Sequence, residues 1–290
     1  MRLHLIDGTF ELFRAHYARR PPRLSPSGRD VKGTVGVVST LLRLLEDPYD
    51  EVTHLAVAFD NPVDSFRNRL FSGYKSGEGL DPAVTSQFDL VEEAVEALGI
   101  VVWSMDEYEA DDALATGAAR WRDEVDQVCI LSPDKDLGQC VDDAHGVVQF
   151  DTVRRRVIDA QGVRDRNGVD PESVPDWLAL VGDTADGIPG IPGFGRKTAS
   201  TLLGHFRTVD AIPDDPGTWP KEIRGAARLA TTLSAMREDA ALYRKLAVLV
   251  TDVPMTESLD DLRWRGADAR KFERVSARVG GFGVNPRRWR

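Results

Sequence analysis

Nine carboxylates carry the chemistry that this sequence offers. Asp7 follows the apolar run Leu3–Ile6, Asp60 follows Leu55–Phe59, and Asp134 and Asp136 come just after Gln127–Leu131. Glu109 and Asp112 are spaced i, i+3 in YEADDALAT with Asp111 beside them, and Asp183 and Asp186 repeat that spacing in GDTAD. A single Asp after a strand ordinarily caps the next helix. So many anions at one sheet edge would repel one another by more than capping returns, unless cations sit among them. Hard oxygen donors without His or Cys suit Mg²⁺ or Mn²⁺ rather than zinc. Two such ions about 3.5–4 Å apart would form the clamp used for phosphodiester hydrolysis.

A second constellation starts at the last acidic pair, in GDTADGIPGIPGFGRKTAS. Glycine and proline at this density forbid a continuous helix or strand and impose one turning path. PGFGRKTA has the form of a helix-hairpin-helix, whose exposed N–H groups and following helix N-terminus hold a phosphate without reading a base. Gly193 and Gly195 permit close backbone approach, and Arg196, Lys197 and Thr198 open the helix that follows Phe194. A structural turn could look the same; its junction with GDTAD makes the phosphate reading specific.

These residues need a scaffold that brings strand ends together. LHLI, LAVAF, IVVW and QVCIL read as buried strands, separated by helical patterns. The clearest predicted helix runs from Pro82 to Leu98, with Asp81 as N-cap and Gly99 as stop. The expected fold class is α/β, a mostly parallel sheet with helices on both faces, and such sheets place their sites at the carboxyl ends of the strands. From about Val174 the strand signal fades into helix, loop and helix, including a long helical segment over 233–249. Two domains are therefore expected, residues 1–173 and a helical subdomain at 174–290.

The formal charge of −10 argues at first sight against a polyanionic partner. That average conceals a basic tail over 263–290 and a basic group formed by Arg14, Arg19, Arg20, Arg23, Arg29 and Lys32. Cys129 and Cys140 lack any Cys-x-x-Cys spacing and read as buried small side chains. No apolar run approaches the roughly 20 residues of a membrane span, and no signal-peptide core follows Met1, so an intracellular, cytoplasmic protein without a membrane partner is expected. Nothing in the sequence points to oligomerisation, so a monomer is expected.

The blocks LIDGTFELFRAHYA, VAFDNPVDSFRNRLFSGYK, EYEADDALAT, ILSPDKDLGQCV and LVGDTADGIPGIPGFGRKTA, in this order, resemble the 5′-nuclease family. That family includes the 5′→3′ exonuclease domain of bacterial DNA polymerase I, phage 5′ exonucleases and flap endonucleases. The resemblance covers nearly the whole chain. It implies a PIN-like core and a structure-specific nuclease acting on DNA with a free 5′ end (flap, nick or overhang), with RNA-primed DNA as a further substrate and a role in repair or primer removal. It implies two divalent ions, Mg²⁺ or Mn²⁺, and an in-line hydrolysis leaving a 5′-phosphate and a 3′-hydroxyl. By motif, Asp7, Asp60, Glu109, Asp111 and Asp112 would surround the first metal position, and Asp134, Asp136, Asp183 and Asp186 the second. Gly193, Phe194 and Gly195 would grip the uncut duplex, with K⁺ at the hairpin.

The segment from Arg67 to Pro82 resembles the arch that handles the 5′ strand. There Arg67 and Lys75 match cations placed at the scissile phosphate, and Tyr74 is either a packed aromatic or a stacking platform. Relatives commonly read Tyr-Lys-x-x-Arg where this chain reads YKSGE, so Glu78 stands where a second cation is expected. Two rival readings fit parts of the sequence. One is a flap- or nick-binding module with weak catalysis; the other is a small metallonuclease acting on RNA, which would not need the hairpin subdomain.

Overall fold

The computed structural model describes residues 1–290. In chain order its regular elements begin with β1 (Arg2–Asp7), α1 (Gly8–His16), α2 (Lys32–Glu46), β2 (His54–Asp60), α3 (Phe66–Leu70), α4 (Pro82–Thr85) and α5 (Phe88–Ala97). There follow β3 (Val101–Met105), α6 (Ala110–Trp121), β4 (Gln127–Leu131), β5 (Val147–Asp151), β6 (Arg156–Ile158) and α7 (Ala160–Asn167). The chain then continues as helices, α8 (Val174–Val181), α9 (Arg196–Phe206), α10 (Ala226–Ala235), α11 (Arg237–Ala247) and α12 (Ala269–Val279). They fall into two compact units, one of residues 1–65, 77–132 and 251–290, the other of residues 66–76 and 133–250.

In the first unit β3, β2, β1 and β4 lie side by side, all parallel. Leu3, Leu5, Leu55, Val57, Phe59 and Ile130 are wholly or almost wholly buried, which is why these strands read as continuous apolar runs rather than alternating ones. Helix α6 packs on all four strands, while α1 and α5 pack on β2. At about 2 kcal/mol for each fully buried large aliphatic side chain, this layer of Leu, Ile and Val holds the strand ends in fixed register. The basic tail forms α12, which buries Phe272, Val275 and Val279 and packs on α5, where Lys271 pairs with Glu96 at 3.3 Å and Arg278 with Glu93. Much of its charge is thus met within the protein.

The expected helix from Pro82 to Leu98 is interrupted. Ser86 and Gln87 separate α4 from α5, and the Gln87 side chain, 1% exposed, turns inward to accept the Thr34 N–H at 3.0 Å and donate to the Ala83 carbonyl at 2.7 Å. A polar side chain buried this deeply must satisfy its amide, and it does so across the break.

The second unit is mostly helical, with a small antiparallel pair, β5 and β6, that the sequence reading did not anticipate. Helix α8 is buried along nearly its whole length and packs against α9 and α11 around Trp177, Leu178, Leu202, Leu203 and Leu246. Asp176, fully buried, accepts the Val209 N–H at 2.8 Å and the Arg244 guanidinium at 3.0 Å, so its charge is both paired and hydrogen-bonded. The long helical segment expected over 233–249 is two helices that meet at Met236.

Candidate functional site

The strand ends of the first unit gather one set of carboxylates. Asp7 closes β1 and caps α1: its Oδ1 accepts the Phe10 N–H at 2.8 Å and its Oδ2 the Ser132 hydroxyl at 2.9 Å. Asp60 closes the neighbouring parallel strand β2, and its Oδ1 accepts the Ala110 N–H, the first of α6, at 2.8 Å. Glu109 and Asp112 form a reciprocal capping box at the start of α6, with Asp112 taking the Glu109 N–H at 3.0 Å and Glu109 taking the Ser65 hydroxyl at 2.7 Å. Asp112 is fully buried, Glu109 nearly so, and Asp111 half-buried beside them. Capping is therefore real at these residues, and it anchors buried carboxylates at one end of a parallel sheet.

The second unit holds a tighter group. Ligand oxygens of Asp136, Asp183 and Asp186 all lie within 4.8 Å of one another. Asp183 is set by a turn in which its N–H and C=O bond Ile188 at 2.7 and 2.8 Å, and its Oδ1 takes the Ala185 N–H at 3.0 Å. Asp134 is exposed and accepts the Asp136 N–H at 2.9 Å. Burial, reinforced by the charges of Asp134 and Asp186, raises the Asp136 pKa well above the ordinary carboxylate range, and Lys135 only partly offsets this. Its Oδ1 is buried without a hydrogen-bond partner. Three converging carboxylates with one orphaned oxygen make a donor set that fits a hard divalent cation.

Two lysines face this group. Lys135 pairs with Asp183 and lies 3.9 Å from Asp136, while Lys75 lies 3.0 Å from Asp186 and donates its backbone N–H to the Asp186 carbonyl at 2.9 Å. Burial alone would lower the Lys135 pKa, but Asp136, Asp183 and Asp134 together raise it. Lys135 was not singled out from the sequence; its position between Asp134 and Asp136 was the available signal.

The remaining expected site residues are placed variously. Arg67 is fully buried, with Nε donating to the Leu246 carbonyl at 2.8 Å and Nη2 to the Val248 carbonyl at 3.0 Å. Tyr74 is buried in the helical core, with the Lys75 ammonium 5.7 Å from its ring centre. Glu78 is exposed. In the hairpin Gly190 and Gly193 adopt φ of +72° and +89°, and a Cβ on Gly190 would lie 2.5 Å from the Gly182 nitrogen, so only glycine follows this path without strain. Phe194 is buried edge-on to Trp219 and fastens the turn from within. Gly195 caps α9 without a side-chain hydrogen bond, and no atom lies within 4 Å of where its Cβ would be. Arg196 lies over the Trp177 ring and donates to the Arg166 carbonyl, Lys197 is exposed, and Thr198 is half-buried.

A family model described as 5′-3′ exonuclease, N-terminal resolvase-like domain, matches residues 2–168, and another described as 5′-3′ exonuclease, C-terminal SAM fold, matches residues 169–270. The chain belongs to the 5′-3′ exonuclease family. Its relative the 5′-3′ exonuclease of Aquifex aeolicus is 31% identical over 272 residues, covering 93% of this chain and 89% of that protein. DNA polymerase I of Bacillus caldotenax is 35% identical over 285 residues, 96% of this chain but 31% of the polymerase, so the chain spans about a third of that relative's length. Among solved structures, T5 5′-exonuclease with divalent metal ions (zinc) bound has the same fold, with a TM-score of 0.68 at 20% identity over 96% of this chain and 100% of that one. The T5 flap endonuclease in a pseudo-enzyme-product complex with DNA and metal ions gives a TM-score of 0.67 at 20% identity over 97% of this chain and 100% of that one. The membership in the 5′-3′ exonuclease family and the α/β core with a helical C-terminal part are thereby established.

Proposed function

We propose that this member of the 5′-3′ exonuclease family hydrolyses DNA phosphodiesters at free 5′ ends (flaps, nicks and overhangs), with RNA-primed DNA as a further substrate. The observation that carries the reading is the convergence of Asp136, Asp183 and Asp186, with a buried Asp136 oxygen that no hydrogen bond satisfies. These residues with Asp134 would hold one Mg²⁺ or Mn²⁺; Asp7, Asp60, Glu109, Asp111 and Asp112 would hold the other. When bound, such a pair of ions stabilises the attacking and leaving oxygens of an in-line displacement. Lys75, 3.0 Å from Asp186 at the edge of this group, would be the catalytic cation, its ammonium supplying positive charge to the scissile phosphate. Arg67 is a positioning residue: its guanidinium, fixed on the Leu246 and Val248 carbonyls, anchors the segment that carries Lys75.

The hairpin supplies the grip. The open N-terminus of α9, with the backbone at Gly193, Gly195, Arg196, Lys197 and Thr198, suits a backbone phosphate, and the hairpin backbone would hold K⁺, which would add positive charge for that phosphate. Phe194 and Tyr74 support this surface by packing from within. In this reading residues 1–173 are the nuclease core and 174–290 the DNA-binding part of a cytoplasmic monomer that serves repair or primer removal. The test is cleavage of a 5′-labelled flap and a nicked duplex in Mg²⁺, Mn²⁺ or EDTA. Asp134→Ala is expected to reduce metal-dependent cutting by more than about 100-fold, beyond what outer-shell partners of a metal contribute, while leaving flap binding intact. Glu78→Arg is expected to speed cutting if the acid repels the 5′ strand. Tight binding of the flap with no cutting by the wild type would replace the enzyme with a junction-binding module.

A further inference from the structure

The turn that carries Asp134 and Asp136 is held through its backbone, by side chains that the proposed chemistry leaves unused. Its three successive carbonyls each accept a hydrogen bond from a side chain of a different element. Gln149 of β5 donates through Nε2 to the Asp134 carbonyl, and Arg166 of α7 donates through Nη2 to the Lys135 carbonyl at 3.1 Å. Gln139 of the 3₁₀ turn Asp136–Cys140 donates through Nε2 to the Asp136 carbonyl at 2.9 Å. Gln149 is fully buried, and Gln139 and Arg166 are half-buried.

Each of the three side chains is set by its own surroundings. Gln139 also donates to the Ala247 carbonyl at 3.1 Å and accepts the Leu249 N–H at 3.0 Å, tying the turn to the end of α11 whose Leu246 and Val248 carbonyls Arg67 holds. Arg166 stands one residue before the end of α7, where the Arg166 and Asn167 carbonyls accept the Arg196 guanidinium and, at 2.9 Å, the Ser200 hydroxyl of α9. Gln149 lies in the β5–β6 pair, in register with Ile158.

The need to satisfy a buried carbonyl would by itself account for one such bond. Three on consecutive residues also fix the peptide planes from which the carboxylates of Asp134 and Asp136 project. Those two acids, with Asp183 and Asp186, repel one another when no cation lies among them. Restraint at the backbone opposes their separation through bonds that do not occupy carboxylate oxygens. We infer that Gln139, Gln149 and Arg166 are positioning residues that hold Asp134 and Asp136 in the arrangement a divalent ion requires, which rests on the metal assignment proposed above.

Charge and position give Arg166 opposite effects on ion binding. Burial lowers its pKa, and Asp134 and Asp136 partly offset this, so its charge and theirs interact. Acting only as a charge, Arg166 would oppose a second cation, and Arg166→Met would tighten Mn²⁺ binding. Acting through the Lys135 carbonyl, it steadies the turn, and the same substitution weakens binding. Gln139 is neutral, so Gln139→Met tests position alone.

The experiment titrates Mn²⁺ by calorimetry into the full chain without DNA, for wild type, Gln139→Met, Arg166→Met and Arg166→Lys. Circular dichroism and Tm in EDTA confirm that each variant is folded, and Gln139→Met decides the matter should Arg166→Met not fold. Outer-shell partners of a metal typically contribute about 10–100-fold in affinity, so Gln139→Met and Arg166→Met are each expected to weaken Mn²⁺ at one site by at least about tenfold. Arg166→Lys keeps a donor for the Lys135 carbonyl and should recover most of the loss. In flap cleavage the two weakened variants should need correspondingly more Mn²⁺ while KM for the flap stays within about twofold, because the Arg166 carbonyl, and not its side chain, meets α9. Mn²⁺ affinities of the folded variants within about twofold of wild type, or tighter binding by Arg166→Met, would overturn the positioning role and leave the metal assignment standing. A wild type that binds no Mn²⁺ would remove both.

Discussion

Asp7, Asp60, Glu109 and Asp112 of the first unit accept hydrogen bonds from the N–H groups of helix starts and the hydroxyls of Ser65 and Ser132, and Asp183 and Asp186 of the second face the ammonium groups of Lys135 and Lys75. The difference is one of what a divalent ion meets on arrival. In the first unit hydrogen bonds from helix starts and serine hydroxyls orient the carboxylates. In the second, Lys135 and Lys75 lie beside carboxylates that would hold an ion, so their ammonium groups would compete with it.

The largest expected effect breaks the second group. Asp183→Asn removes one charge from the three converging acids while keeping an oxygen for the Ala185 N–H, and flap cleavage in Mn²⁺ should fall by more than about 100-fold. Retained cleavage would remove Asp183 from the metal set.

A second prediction concerns β1, the strand that delivers Asp7. Burial, helped by Arg2, lowers the His4 pKa from 6.5 to about 4. Below pH 6.5 the unfolded chain takes up a proton that the folded strand refuses, so the stability is fully present above that pH and is lost as pH falls towards about 4. The loss amounts to about 3 kcal/mol at 1.36 kcal/mol per pKa unit. Denaturant melts of wild type and His4→Gln across this window should diverge by that amount, and parallel curves would refute it.

Sharpening the comparison itself requires Lys135→Met. With the competing ammonium gone, Mn²⁺ should bind about tenfold more tightly by calorimetry, while Tm in EDTA falls because Asp183 loses its partner. Asp112→Ala in the first unit should instead cost about 1–2 kcal/mol through loss of a cap, with no gain in ion affinity. Weaker Mn²⁺ binding by Lys135→Met would show that the lysine supports the ion rather than competes with it. The smallest effect on stability is expected at Gly195→Ala, within about 0.5 kcal/mol because its Cβ enters open space; flap binding should still weaken severalfold if phosphate approaches there.

The parallel strands and the acids at their ends were legible because a buried strand leaves an unbroken apolar run and an Asp just after it stands out. The hairpin path was legible for the same kind of reason, since Gly190 and Gly193 at positive φ leave glycine as the strain-free choice. The break at Gln87 was not, because a glutamine in a helical pattern does not announce that its amide is buried against Thr34. Nor could sequence tell that Arg67 spends its guanidinium on distant carbonyls, or that the β5–β6 pair forms from runs as short as Arg156–Ile158. Lys135 stayed hidden among acids whose own pattern drew the eye. In each case the missing information was a contact far along the chain.

The measurement that bears most directly on the proposed metal-dependent hydrolysis is a calorimetric Mn²⁺ titration of EDTA-treated protein, comparing wild type with Asp60→Ala and Asp183→Ala. About two ions per chain are expected for wild type and about one for each variant, if each unit's carboxylates hold an ion of their own. A wild type that binds no divalent ion at millimolar Mn²⁺, or a stoichiometry unchanged in both variants, would contradict the assignment of these acids to metal.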